Sequence, residues 1–136
     1  MTVHLLKLAV GAETLDDIRR YQESRLKTYG HIFHLTRQTP KRLDELLNGG
    51  SLYWVVKGWI SARQEIVDHG EFTLEDGSRK CKLLLASPLI EVERRPQRPF
   101  QGWRYLEPDR APPDRRMGEE EPPPEMAEEL RRLGLI

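Results

Sequence analysis

The stretch Ser51-Leu-Tyr-Trp-Val-Val-Lys-Gly-Trp-Ile-Ser61 carries the longest β pattern in the chain. From residue 52 to residue 60, apolar side chains occur at both even and odd positions, so a strand here would be apolar on both faces. Strands that are covered on both sides show this pattern, which predicts a central strand of a sheet. Gly58, within the run, predicts a bulge or a close approach of the backbone to a ligand.

Other elements are predicted on both sides of this strand. Shorter β patterns cover residues 3–10, 31–38, 64–68, 71–74, 79–86, 89–94 and 102–106. Asp76-Gly77 predicts a hairpin turn, because Gly tolerates the positive φ that a tight turn demands. A first helix is predicted from Thr14, a capping-box residue, to a stop at Gly30. Its inner face would hold Leu15, Ile18, Gln22, Leu26 and Tyr29.

A second, shorter helix is predicted to begin at Thr39-Pro40, with Leu43, Leu46 and Leu47 facing inward. Many short strands with two helices near the N-terminus indicate an α+β fold. Six or seven strands in roughly 100 residues favour a small, strongly bent sheet or a closed barrel, since closure removes exposed edges.

The composition changes at Glu107. Residues 1–106 are predicted to form one α+β domain, and residues 107–136 a Pro-rich, acidic tail with a linker and a short C-terminal helix from Glu125 to Leu133. The chain has zero formal net charge, but residues 1–106 carry 17 Lys and Arg against 13 Asp and Glu, a net +4. Residues 107–136 carry 5 against 9, a net −4. A mildly basic body permits a nucleic-acid partner if its basic groups cluster on one face.

Several classes of protein are disfavoured by the 136-residue sequence. The single cysteine, Cys81, excludes an intramolecular disulfide and suits a reducing compartment. The first residues lack the basic region and cleavage site of a signal peptide, and no apolar run approaches the ~20 residues of a membrane span. The sequence therefore predicts a cytoplasmic protein with no membrane partner; its oligomeric state is left open.

Arginines alternate with aromatic residues in Arg98-Pro-Phe-Gln-Gly-Trp-Arg-Tyr-Leu106. Guanidinium groups bind phosphates and aromatic rings stack on bases, so this pattern is compatible with a nucleic-acid contact strip. Lys57 and Arg63 would lie nearby if no bulge intervenes between them. The predicted nucleic-acid-binding residues are Lys57, Arg63, Arg95, Arg98, Trp103 and Arg104. The same residues also fit the core and rim of an ordinary sheet.

The sequence patterns for metal binding and for catalysis are weaker. His31 and His34 are three residues apart in a predicted strand and would point to opposite faces, which is poor geometry for a metal. No nucleophile elbow, zinc-protease helix or phosphate-binding glycine loop is present. Cys81 lies in an apolar strand and is predicted to pack inward. The sequence therefore predicts no metal and no cofactor, and it assigns no catalytic residue.

Five segments carry a resemblance to an uncharacterised alphaproteobacterial family of about this length. They are Val3-His-Leu-Leu-Lys7, Pro40-Lys-Arg42, Gly50-Ser-Leu-Tyr-Trp-Val-Val-Lys-Gly58, Ala62-Arg-Gln64 and Pro99-Phe-Gln-Gly-Trp-Arg-Tyr-Leu106. That family has no assigned activity, so no catalytic residue follows from it. The layout also resembles the PUA-like barrels, including the ASCH and EVE branches, which place a short helix before a strand running into a Gly and an Arg. That resemblance implies binding of RNA or modified bases and, in a few members, nuclease activity.

The leading hypothesis is a PUA-like module that binds RNA or another single-stranded nucleic acid. One alternative is an enzyme acting on a nucleotide or nucleic acid, with Lys57, Arg63 and a carboxylate around a pocket by Gly58. Another is a protein-interaction module that docks through the C-terminal helix.

Overall fold

The structure is a computed structural model that describes residues 1–115. The predicted C-terminal helix and the Glu119–Glu121 run lie outside these residues. The elements, in chain order, are β1 (His4–Leu8), α1 (Leu15–Tyr29), β2 (Phe33–Thr36), α2 (Leu43–Leu46), β3 (Ser51–Val56), β4 (Trp59–Thr73), β5 (Arg79–Leu85), β6 (Ile90–Pro96), β7 (Trp103–Leu106) and a 3-10 turn (Pro108–Arg110).

The strands form a seven-stranded sheet in the order β2-β5-β4-β3-β1-β7, with β6 paired to β4 outside this path. β1 and β3 run parallel, whereas β1 and β7 run antiparallel. The sheet is strongly curled into a half-barrel and is accompanied by two helices, so the predicted α+β class and bent sheet are confirmed.

The 15-residue strand β4 produces much of this curl. Its first part pairs with β3 on one edge and with β6 on the other, as in the pair Ala62–Glu91. Its second part pairs with β5, as in the pair Glu71–Cys81. One strand therefore exchanges neighbours along its length and connects the two parts of the sheet.

Both faces of β3 are covered, as its sequence predicts. On one side, Val56 packs with Ala62 of β4 and Ile18 of α1; we call this side of the sheet the helix face. On the opposite side, Tyr53 and Val55 pack with residues of β6 and of the segment after it. Ala111 and Asp114, which follow β7 in the chain, also lie on this side, which we call the tail face.

The prediction of one continuous strand through Gly58 is wrong. Lys57 and Gly58 form a tight turn between β3 and β4, and both have positive φ, 49° and 82°. Two successive residues with positive φ are typical of the turn whose twist matches a β-hairpin. Lysine is uncommon at such a position, which is why the sequence does not reveal the turn. The Gly58 carbonyl accepts a hydrogen bond from the Gln97 N–H at 2.8 Å, so the segment after β6 lies beside the turn.

The first helix has the predicted ends. Thr14 Oγ1 accepts a hydrogen bond from the Asp17 N–H, and the Asp17 carboxylate accepts one from the Thr14 N–H. Gly30 ends the helix in the left-handed conformation, with φ of 83°. The predicted inner face is only partly buried: Ile18 and Gln22 are inside, but Leu26 is 47% exposed. Tyr29, also at that end of the helix, is 49% exposed.

The second helix is shorter than predicted, because it begins at Leu43 rather than at Thr39-Pro40. Arg42 precedes it without a side-chain cap, while Leu46 is fully buried as predicted. The Asp76-Gly77 turn is confirmed: the Leu74 N–H donates to the Ser78 carbonyl at 2.8 Å, which closes the β4–β5 hairpin.

Candidate ligand-binding surfaces

Arg63, Arg95 and Arg104 belong to the tail face. Arg63 donates two hydrogen bonds to the Asp114 carboxylate, at 2.7 and 2.8 Å, and these bonds hold the pKa of Asp114 below its usual range. Arg95 Nη1 donates to the Arg110 carbonyl at 2.7 Å. The Arg104 guanidinium lies 5.3 Å from the centre of the Phe100 ring. These guanidinium groups are therefore engaged by the chain itself.

The first residues of the acidic segment pack on this tail face. Pro112 is fully buried, and Asp114 forms a β-bridge with Val92. The Glu93 N–H donates to the Pro113 carbonyl at 2.9 Å. Residues 107–115 are thus part of the folded body.

Trp103 lies on the opposite side from Arg104, because neighbouring residues of a strand point to opposite faces. Trp103 pairs with Lys7 of β1, and Lys7 pairs with Trp54 of β3, so all three project from the helix face. The Trp103 ring is half-buried and makes an edge contact with Tyr105 at 5.0 Å between centroids. Trp103 and Arg104 do not form a common strip.

A cleft of about 480 Å³ lies between the β3–β4 turn and the N-terminal end of α1. Its lining includes Lys57, Trp59, Ser61 and Arg94. Trp59 is 42% exposed, more than any other large hydrophobic residue of β3 or β4 except Val67. The register of β4 shifts between Ile60 and Ala62, which places Trp59 and Arg63 on opposite faces. Lys57 and Arg63 are therefore not assembled around one pocket.

A second groove, of about 420 Å³, runs between α1, the end of β1 and β2. Lys7, Arg25 and His34 converge on it from these three elements. Burial lowers the pKa of Lys7. Burial, followed by the charges of Lys7 and Arg25, lowers the pKa of His34 to about 4. Clefts that hold groups with perturbed pKa values are candidate functional sites.

A buried amide network lies behind this groove. Gln64 Oε1 accepts hydrogen bonds from Gln22 Nε2 at 2.6 Å and from Trp54 Nε1 at 2.9 Å. Gln64 Nε2 donates to Gln22 Oε1 at 2.9 Å and to the Ala86 carbonyl at 3.1 Å. Both donors and both lone pairs of the fully buried Gln64 amide are therefore used. The network attaches α1 to the sheet and orients Trp54 at the groove.

We expect His34 to make the stability of the protein depend on pH. Its pKa is about 4 in the folded state, below the ordinary value of 6.5, so the unfolded chain takes up a proton first as the pH falls. The full stability is present above pH 6.5 and decreases by up to about 3 kcal/mol as the pH approaches 4. Urea unfolding of the wild type and of His34→Gln at pH 7 and pH 4.5 measures the difference. Equal losses in the two proteins would contradict the expectation.

The groove is not apparent from the sequence, because its polar residues are far apart along the chain. The spacing of His31 and His34 indicates a metal ligand pair at most, and His31 Nε2 instead lies 3.0 Å from Lys82 Nζ. Within residues 1–115, no three His, Cys, Asp or Glu side chains come together as a group that could hold a metal ion. Cys81 is buried, as predicted.

Among the helices that the structure describes, none has both the length and the apolar character needed to cross a membrane. A family model described as a protein of unknown function (DUF1489) matches residues 5–136. The comparisons with curated proteins and with solved structures give no match.

Proposed function

We propose a function for this chain, which belongs to the DUF1489 family of proteins of unknown function. It is a module that binds single-stranded nucleic acid, RNA in particular, at the β3–β4 turn. The observation that carries this proposal is the exposed indole of Trp59 between basic side chains. The proposed interface includes Lys57 and Arg98, which the sequence predicts as nucleic-acid-binding residues. It also includes Trp59 and Arg94, which the sequence does not predict.

The exposure of Trp59 supports stacking on a base. A large ring at 42% exposure leaves apolar surface in water, and a base would cover it. Stacking of a base on an aromatic side chain contributes about 1–3 kcal/mol and tolerates any sequence, because every base has a π-face. One exposed indole is therefore sufficient for a measurable contribution.

Basic residues surround this ring. Lys57 lies in the turn, Arg94 lines the same cleft, and Arg98 follows Gln97, whose N–H is bonded to Gly58. The Lys57 ammonium is 3.9 Å from the exposed Glu13 carboxylate. Exposed pairs of this kind contribute little, so a phosphate can replace the carboxylate at small cost.

The fold is also in keeping with the proposal. A strongly curled sheet with two helices agrees with the resemblance to the PUA-like barrels, members of which often bind RNA. Fold alone does not establish function, and the Trp59 surface is the stronger support for the proposal. The single cysteine, which is buried, fits the cytoplasmic location that we propose for such a module.

The proposal is tested by titrating short mixed-sequence RNA and single-stranded DNA while Trp fluorescence is recorded at low and moderate salt. We expect a saturable quench with an affinity that falls as salt rises. Trp59→Ala should weaken binding about tenfold, in line with the stacking contribution. Lys57→Ala with Arg94→Ala should reduce the salt slope by about 2, because each phosphate contact contributes about 1.

The matched control removes two other exposed basic residues, Arg37 and Arg79, by alanine substitution, which changes the net charge equally. This control should retain the wild-type salt slope. Its affinity should fall only by the small amount that the lower net charge causes. Absence of binding at low salt would refute the proposal. So would equal affinity in the wild type and in Trp59→Ala, or equal loss in the control.

A further inference from the structure

The groove between α1, β1 and β2 is separate from the Trp59 surface and has the character of a small-molecule site. Its volume of about 420 Å³ lies within the range of small-ligand pockets. Apolar side chains form much of its wall, among them Leu8, Ile18, Leu35 and Trp54. Pockets with apolar walls and a few convergent polar groups orient organic molecules.

Lys7 is the first of these polar groups. It projects from the helix face between Trp54 and Trp103, and it is half-buried. Within the described part of the chain, no hydrogen bond or ion pair involves its ammonium group. A partly desolvated cation without a partner is costly, and an anion in the groove would offset that cost.

Arg25 is held in place for binding. Its Nη1 donates to the Phe33 carbonyl and its Nη2 to the Tyr21 hydroxyl, both at 2.7 Å. Its guanidinium lies 4.9 Å from the centre of the Tyr21 ring and 4.6 Å from that of Phe33. A guanidinium has five N–H donors, so most of its hydrogen-bonding capacity is left for a ligand. A planar fork fixed in this way suits a carboxylate.

His34 lines the groove together with the two cations Lys7 and Arg25. Burial lowers the pKa of His34 most, and the positive charges of Lys7 and Arg25 beside it lower this pKa further. Its Nε2 is buried and has no hydrogen-bond partner in the described residues. The carboxylate that lines the groove, Asp17, is already engaged by Arg20 and by the N-terminal cap of α1. The groove therefore holds uncompensated positive charge.

We propose that this groove binds a small organic carboxylate with a flat apolar body. The carboxylate lies between Lys7 and Arg25, and the apolar body lies along Ile18 and Trp54. The inference does not depend on nucleic-acid binding at Trp59, because the two surfaces share no lining residue.

Benzoate is the first probe, with benzyl alcohol and benzylamine as neutral and cationic analogues and phenyl phosphate as a second anion. Amide and indole resonances of the full chain are followed by NMR during titration. We expect benzoate to give saturable shifts at the groove, including the Trp54 indole N–H, and the neutral and cationic analogues to bind at least about tenfold more weakly.

Lys7→Met removes the charge and keeps much of the side-chain length, so it should weaken benzoate binding by about tenfold. Lys7→Arg keeps the charge and should retain binding, which separates loss of charge from a folding defect. Two control variants should leave the benzoate affinity unchanged: Lys27→Met, at an exposed position of α1, and Trp59→Ala. The proposal is overturned if groove resonances do not shift, if benzyl alcohol or phenyl phosphate binds better than benzoate, or if Lys7→Met binds like the wild type.

Discussion

Replacing Gly50 by alanine is expected to lower the stability of the protein strongly. A Cβ at this position would lie 2.3 Å from the Val3 carbonyl oxygen and 2.4 Å from the Leu46 carbonyl oxygen. Both are backbone atoms, so neither can move by a change of rotamer. Gly50 is itself fixed, since its N–H donates to the Leu46 carbonyl and its carbonyl accepts from the Ile66 N–H, each at 2.9 Å.

We expect Gly50→Ala to cost at least about 3 kcal/mol, at the upper end of the range for overpacking, because the main chain at Val3, Leu46 or residue 50 itself must shift. Equilibrium urea unfolding at pH 7 measures the loss. Gly70→Ala is the matched control: its new Cβ would lie 3.6 Å from the flexible end of the Lys82 side chain, an ordinary contact. Alanine should be neutral or slightly stabilising there, because glycine is unfavourable within a strand. Similar losses at the two sites would contradict the steric argument.

The second large effect is expected at Gln64. Gln64→Leu keeps the volume of the side chain but leaves the Gln22 amide, the Trp54 N–H and the Ala86 carbonyl without their partner. Each buried polar group left unsatisfied costs about 1–3 kcal/mol, so we expect a total loss of about 3–5 kcal/mol.

Urea unfolding measures the loss of stability in Gln64→Leu. The control is Gln101→Leu at an exposed position, for which we expect no loss of stability. Gln64→Leu should also change the NMR signal of the Trp54 indole N–H, which loses its acceptor. A loss below about 1 kcal/mol would mean that the network contributes less than its complete pairing implies.

The local signals in the sequence predicted those parts of the fold that depend on neighbouring residues. The capping box at Thr14, the Gly30 stop and the Asp76-Gly77 turn each involve groups only a few residues apart, and each is present. The sequence does not predict the Lys57-Gly58 turn, because lysine rarely takes a positive φ. The pairing of β3 with β4 stabilises this conformation of Lys57.

The candidate sites depend on contacts between distant segments, which a single sequence does not reveal. The sequence predicts that Arg63 contacts a nucleic acid, and it does not reveal that Arg63 is hydrogen-bonded to Asp114, 51 residues later. Lys7, Arg25 and His34 reach one groove only because α1 crosses the helix face of the sheet. The shift of register in β4 likewise decides that Trp59 and Arg63 point apart.

The position of β1 in the sheet also has a consequence for the order of events during synthesis. β1 is made before the other strands of this sheet, yet it lies between β3 and β7, so that Leu5 pairs with Leu52 on one edge and with Tyr105 on the other. Pairings that are distant along the chain form slowly, and β7 must be complete before the second edge of β1 is covered. Until then Leu5 and Leu6, both buried in the finished protein, belong to an incomplete sheet. Until β7 is made, we therefore expect the nascent chain to present an apolar strand edge to chaperones and to other chains.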